Sequence, residues 1–172
     1  PGGAATSVTT TSMEEVEERF SEAGTGRSQK RSWTVEEIDQ IFRESTMPGQ
    51  EEFLDFCLEH SAGGKIVRPN NRTTQATVSF FVDVERDGQQ RQLVLFYWPI
   101  NWSHLTVRLW RLARFISDDD LNALKELLKS LFGDDLDPDG RSPSLPNDKV
   151  PHHLNHLHEI VQWIRPRLQP YQ

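Results

Sequence analysis

The chain has 172 residues, of which 35% are hydrophobic and 26% are charged, and its net charge is −7. This length predicts one domain with a tail, and the acidic balance argues against general nucleic-acid binding through overall charge. A single cysteine, Cys57, excludes an intramolecular disulfide, and no apolar run approaches the roughly 20 residues of a membrane-spanning helix, so we expect a cytoplasmic or nuclear protein that does not bind membranes.

Residues 1–32 are predicted to form a flexible acidic arm, because the first twelve are small or polar and show no apolar periodicity. Residues 12–23 within this arm predict a short amphipathic helix whose apolar stripe is Met13, Val16 and Phe20. A helix this short is not stable alone and needs a groove on its own domain or on a partner. We therefore expect these residues to form a docking helix.

Residues 33–172 are predicted to form a single α+β domain. Thr34 and Glu37 have the spacing of a capping box, which predicts the first helix, and Pro48 suits the first turn of a second helix that ends near His60. Two runs rich in β-branched and aromatic residues, 76–85 and 91–100, flank the turn sequence Asp87-Gly88. They therefore predict a β-hairpin.

Three further helices are expected after the hairpin. The first spans residues 103–116 and has a leucine stripe at helical spacing, and the second begins after the capping residue Ser117 and ends at Gly133. After a loop over 134–151, a last helix spans 152–164. The predicted fold is a small antiparallel hairpin or sheet covered by about five helices.

Tryptophan and arginine cluster around the stretch YWPINWSH, residues 97–104. Residues 61–116 carry 8 Lys/Arg and 3 Asp/Glu, whereas residues 1–60 carry 5 and 13. Tryptophan and arginine are enriched among the residues that dominate protein interfaces. The sequence therefore predicts a regulatory module that binds another protein with an acidic surface, through a set of residues from the second strand and the following helix: Trp98, Trp102, Arg108, Trp110, Arg111 and Arg114.

Two alternatives remain for this sequence. Aromatic faces and guanidinium groups also suit single-stranded RNA or DNA, so a nucleic acid is the alternative partner. The first residue, Pro1, and the last, Gln172, would fit a product excised from a viral polyprotein that acts on host factors.

An enzyme would need a nucleophile with an adjacent base, and Cys57, His60, His104 and Asn101 are residues of the required types. No motif surrounds them, and Cys57 falls on the apolar side of its predicted helix. We therefore expect an inert thiol, no enzymatic activity and no cofactor.

Two short stretches partly match metal-binding patterns. His152, His156 and Glu159 are spaced to share one helix face and are weak zinc candidates, although the H-E-x-x-H pattern is absent. The run from Asp135 to Gly140 matches the first half of a calcium-binding loop, but Pro146 stands where the bidentate glutamate belongs. We expect no bound metal.

Overall fold

A computed structural model describes residues 29–68, 72–138 and 142–168. Two antiparallel sheets, of two and four strands, combine with helices in an α+β fold, as the sequence predicted. The proposed docking-helix residues Met13, Val16 and Phe20 lie outside the described residues.

The strands are β1 Arg31–Ser32, β2 Arg72–Thr73, β3 Thr77–Arg86, β4 Gln89–Pro99, β5 His104–Val107 and β6 Ser144–Pro146. The main sheet has the strand order β3-β4-β5-β6, and each neighbouring pair is antiparallel. The hairpin prediction is confirmed, because β3 and β4 pair along their length and are joined at Asp87 and Gly88, which have φ values of 55° and 72°. Two positive φ values are what a type I′ turn requires.

The helices of the described ranges are α1 Val35–Arg43, α2 Gln50–His60, α3 Leu109–Leu112, α4 Asp118–Phe132 and α5 Leu154–Leu168. The capping box is confirmed, since the Glu37 N–H donates to Thr34 Oγ1 at 3.1 Å and the Thr34 N–H donates to Glu37 Oε2 at 2.9 Å. Ser117 Oγ accepts from the Asp120 N–H at 3.1 Å and caps α4. Among these helices, none is long and apolar enough to cross a membrane.

The predicted helix over residues 103–116 is wrong. His104–Val107 forms β5, and only Leu109–Leu112 is helical. Leu105 pairs with Leu145 of β6, and Val107 pairs with Phe96 of β4. A strand between two partners satisfies its backbone hydrogen bonds on both sides, and this long-range pairing overrides the local leucine spacing.

The C-terminal boundaries also differ from the expectation. The predicted loop over 134–151 contains strand β6 and a 3₁₀ helix at Asn147–His152. As a result α5 begins at Leu154, two residues late, and it continues past Pro166 to Leu168.

The core lies between one face of the main sheet and helices α2 and α5. Phe80 and Phe96 lie opposite each other in the sheet with ring centroids 5.3 Å apart. Phe56 of α2 packs 5.3 Å from Phe80, and Phe53 packs 5.7 Å from Trp98. Burying each such ring stabilises the fold by about 1.5–3 kcal/mol relative to exposure. This packing turns Phe96 and Trp98 of β4 toward the core and leaves Tyr97, which lies between them, for the opposite face.

Candidate functional site

Tyr97 lies on the face of the main sheet that is turned away from α2 and α5. Neighbouring residues of a strand point to opposite faces, and both Phe96 and Trp98 belong to the core. Tyr97 pairs with Ser79 of β3 and with Thr106 of β5, which therefore share its face. The outer face of the sheet is thus the surface on which the predicted binding residues can meet.

Arginine and aromatic side chains contact one another in sequence along this surface. The Arg108 Cζ lies 4.1 Å from the Tyr97 ring centroid and 5.9 Å from that of Trp110. The Arg111 Cζ lies 4.7 Å from the Trp110 centroid. Guanidinium groups are attracted to the electron-rich faces of aromatic rings, by about 0.5–1 kcal/mol at exposed sites. These contacts place two positive charges within 6 Å of the Trp110 ring.

The ring contacts extend in the other direction from Tyr97. Its centroid is 5.9 Å from that of Trp102 in an edge-on arrangement, and Trp102 lies 5.1 Å from His104. Trp102 is 38% exposed and Trp110 is 39% exposed, although both are large hydrophobic side chains. We call this continuous set the aromatic–arginine strip: Tyr97, Trp102, His104, Arg108, Trp110 and Arg111.

Trp98 does not belong to this surface, and its predicted role in partner contact is corrected. Its side chain is 0% exposed and packs on Phe53. The indole N–H donates to the Trp102 backbone oxygen at 2.8 Å. The physical reason is strand alternation, which turns Trp98 inward when Tyr97 points outward. Trp98 therefore fixes the backbone of Trp102 by a hydrogen bond from the core and does not face solvent.

The strip concentrates positive charge. Burial lowers the pKa of Arg108, and the neighbouring charge of Arg68 lowers it further. Burial also lowers the pKa of Arg111, followed by the charges of Arg108, Arg68 and Arg114. A lowered arginine pKa means that the environment disfavours the cation. The charges of Arg68, Arg108 and Arg114 therefore all act on Arg111, and we call these four arginines the charge cluster.

These charges have no acidic partners in the described ranges. The ion pairs there within 4.0 Å involve other basic residues. Arg111 Nε is buried without a hydrogen-bond partner among those same residues. Arg43 on α1 shows the contrast, since it bonds Asp39 at 3.1 Å and Asp55 at 2.9 Å. Within the part of the chain that the structure describes, no carboxylate therefore balances the arginines of the strip.

The sequence did not indicate three residues that contribute to this surface: Tyr97, His104 and Arg68. Tyr97 and His104 were not selected because residues 103–116 were assigned to a helix, which hides the shared strand face. Arg68 lies in a separate loop, and only the tertiary fold places its charge near Arg108. Alternation within β4 was the one local signal that could have identified Tyr97.

The structure makes Cys57 a poor candidate for a nucleophile. Cys57 is 0% exposed, and burial raises the pKa of its thiol well above the ordinary value, so a thiolate nucleophile is disfavoured. The His60 ring packs against Phe56 and His158 at 5.1 and 4.4 Å. Asn101 is exposed next to the strip.

The predicted metal-binding groups are not assembled. His152 ends the 3₁₀ helix, so it does not share an α5 face with His156 and Glu159 as expected. His156 Nδ1 instead lies 2.9 Å from His153 Nδ1. Across residues 29–68, 72–138 and 142–168, no group of three or more His, Cys, Asp or Glu side chains is arranged to hold a metal ion.

Asp135, the first residue of the partial calcium-loop match, contacts basic side chains near the start of α5. Asp135 Oδ2 lies 2.8 Å from His153 Nε2, and Asp135 Oδ1 lies 3.4 Å from Lys149 Nζ. The bond to His153 lowers the pKa of Asp135, and the charge of Lys149 lowers it further. Asp139 and Gly140 lie outside the described residues. Asp135 therefore joins the end of α4 to the start of α5.

The aromatic–arginine strip is the one candidate that combines exposed rings with charges left unpaired by the described residues. No protein-family model, curated protein or solved structure matches this chain.

Proposed function

We propose that this chain is a protein-interaction module whose aromatic–arginine strip binds an acidic segment of a partner protein. The observation that carries this proposal is the contact of Arg108 and Arg111 with the exposed Trp110 ring, where neither arginine has a carboxylate partner within 4.0 Å in the described ranges. An acidic ligand would form charge-assisted hydrogen bonds with these arginines. The tryptophan rings would supply apolar contact area.

Recognition is expected to use side chains, because other segments of the chain already bond both edges of the main sheet at the ends of the row that contains Tyr97. On the β3 side, the Ser79 N–H donates to the Ile66 oxygen and the Phe81 N–H donates to Ser61 Oγ, both at 2.9 Å. On the β6 side, Ser144 exchanges backbone hydrogen bonds with Asp137 at 2.8 and 3.0 Å. Strand addition by a partner peptide is therefore disfavoured.

A protein ligand fits the strip better than a single-stranded nucleic acid. Base stacking needs free aromatic faces. Arg108 lies over the Tyr97 ring, and Trp110 has a guanidinium at 4.7 Å and a second at 5.9 Å. Trp102 already contacts His104 at 5.1 Å. Carboxylates can bond the outward N–H groups of the arginines without displacing these contacts.

The test is selection from a displayed library of random 16-residue peptides, using the full chain as bait. We expect enrichment of sequences that combine Asp or Glu with an aromatic residue. The double variant Arg111→Gln/Arg114→Gln should weaken the selected peptide at least about tenfold, because each charge-assisted bond contributes about 1.5–3 kcal/mol. The matched control Arg86→Gln/Arg91→Gln removes the same charge from the hairpin end and should change affinity less than about twofold.

Two results would overturn the proposal. Equal loss in both double variants would show that net charge alone drives binding. Tighter binding of single-stranded RNA than of any selected peptide, with the steep salt dependence of phosphate contacts, would favour a nucleic-acid partner instead.

A further inference from the structure

One segment of this chain has the chemistry that the strip would recognise. Residues 12–23 contain five glutamates and one arginine, together with the apolar residues Met13, Val16 and Phe20. We propose that residues 13–22 of the chain bind its own aromatic–arginine strip and compete with the partner. This inference rests on the proposed function, because it gives that binding surface an internal competitor.

The anchoring of the arm supports this occupant. Arg31 and Ser32 of β1 pair with Thr73 and Arg72 of β2, and the Trp33 indole N–H donates to the Thr73 oxygen at 3.3 Å. The residues before Arg31 therefore leave the fold beside Thr73. At most about 18 Å of extended chain separates Thr73 from Arg68, five residues earlier.

Arg68 in turn belongs to the charge cluster of the strip. Ile66, two residues before Arg68, accepts a hydrogen bond from Ser79, the strand partner of Tyr97, so this segment runs beside the strip. The charge of Arg68 also lowers the pKa of both Arg108 and Arg111. From residue 31 back to residue 22, an extended chain reaches about 30 Å, and a flexible one averages about 17 Å. A tether this short gives an effective concentration in the millimolar range, so even weak contacts would populate the bound state.

Charge complementarity selects the strip over other basic sites. Five glutamates and one arginine give residues 12–23 a charge of −4, whereas the charge cluster carries four arginines. Elsewhere, Arg43 is already bonded to Asp39 and Asp55, and Lys129 is bonded to Glu126 at 3.0 Å. At the strip, the glutamates would thus meet arginines that have no carboxylate partner among the described residues.

The experiment places a nitroxide spin label on the full chain through Ser21→Cys and follows the indole N–H signals of Trp102 and Trp110 by NMR. Cys57 is fully buried and should remain unlabelled. We expect the label to broaden both strip signals at low salt but to leave the Trp163 signal of α5 sharp. Replacing the five glutamates with glutamine in the labelled chain should restore the strip signals. The glutamates are Glu14, Glu15, Glu17, Glu18 and Glu22.

Two observations would overturn the inference. Strip signals that stay sharp in the labelled chain would show that the arm does not reach the surface. Broadening that appears only when labelled chains are mixed with unlabelled, ¹⁵N-enriched chains would show binding between two molecules rather than within one.

A separate readout distinguishes this inference from the proposed function. The selected acidic peptide should bind the five-glutamine variant about three- to tenfold more tightly than the wild type, because an unoccupied strip no longer reduces its apparent affinity. Equal affinity for both chains, with sharp indole signals, would reject the internal competitor and leave partner binding intact. Failure of every acidic peptide to bind either chain would reject the proposed function itself.

Discussion

Replacing Arg111 with methionine should stabilise the fold while weakening the binding of acidic ligands. The Arg111 guanidinium contacts Trp110, but its Nε is buried without a partner among the described residues. Burial lowers the pKa of Arg111, and the charges of Arg108, Arg68 and Arg114 lower it further. Methionine keeps an unbranched stem against Trp110 and removes both the unpaired donor and the repelled charge.

The expected magnitude follows from two opposing contributions. A buried donor without a hydrogen bond costs about 1–3 kcal/mol, and the lost guanidinium–ring contact with Trp110 forfeits about 0.5–1 kcal/mol. The net gain in the free energy of unfolding is therefore about 1 kcal/mol. For a chain of this size, that gain raises the melting temperature by about 2–4 °C.

Urea and thermal unfolding, followed by circular dichroism, would measure the effect of Arg111→Met at pH 7. The matched control is Arg43→Met, which removes an arginine that bonds Asp39 and Asp55 and should lower stability. A lower free energy of unfolding for Arg111→Met, or equal changes in the two variants, would contradict the expectation that Arg111 destabilises the fold.

Three further outcomes test other parts of the fold. Ser61→Ala should lower the free energy of unfolding by about 1–3 kcal/mol, because Ser61 Oγ is the acceptor for the buried Phe81 N–H at 2.9 Å, and a loss below about 0.5 kcal/mol would contradict that role. The Asp135 carboxylate, whose pKa is lowered by His153, should contribute stability above the ordinary carboxyl pKa of about 3.9 and lose it as pH falls through its lower folded value. Urea unfolding across this range should therefore show that the stability advantage of the wild type over Asp135→Asn shrinks with acidification, and a constant difference would count against the bond to His153. Cys57 should resist a thiol reagent in the native chain and react after unfolding, whereas rapid native labelling would contradict its burial.

Features of the fold that depend on a few neighbouring residues could be read from the sequence. The capping residues Thr34 and Ser117 and the turn at Asp87-Gly88 all take the form predicted for them. Each acts through hydrogen bonds or backbone angles within about four residues, so no knowledge of the rest of the chain is needed. Arg108, Trp110 and Arg111 were also selected from the sequence, and the structure brings their side chains into contact.

Local sequence patterns predict the α+β class, the hairpin and the residue types available for binding. Which of those residues reach the surface depends on packing between distant parts of the chain. Strand β5 depends on pairing with β4 and with the distant β6, so local leucine spacing misassigned it. That pairing turns Trp98 into the core, places His104 and Tyr97 on the outer face, and gathers Arg68 into the charge cluster. Contacts between residues far apart in the chain set these orientations, because only the assembled sheet defines an inner and an outer face.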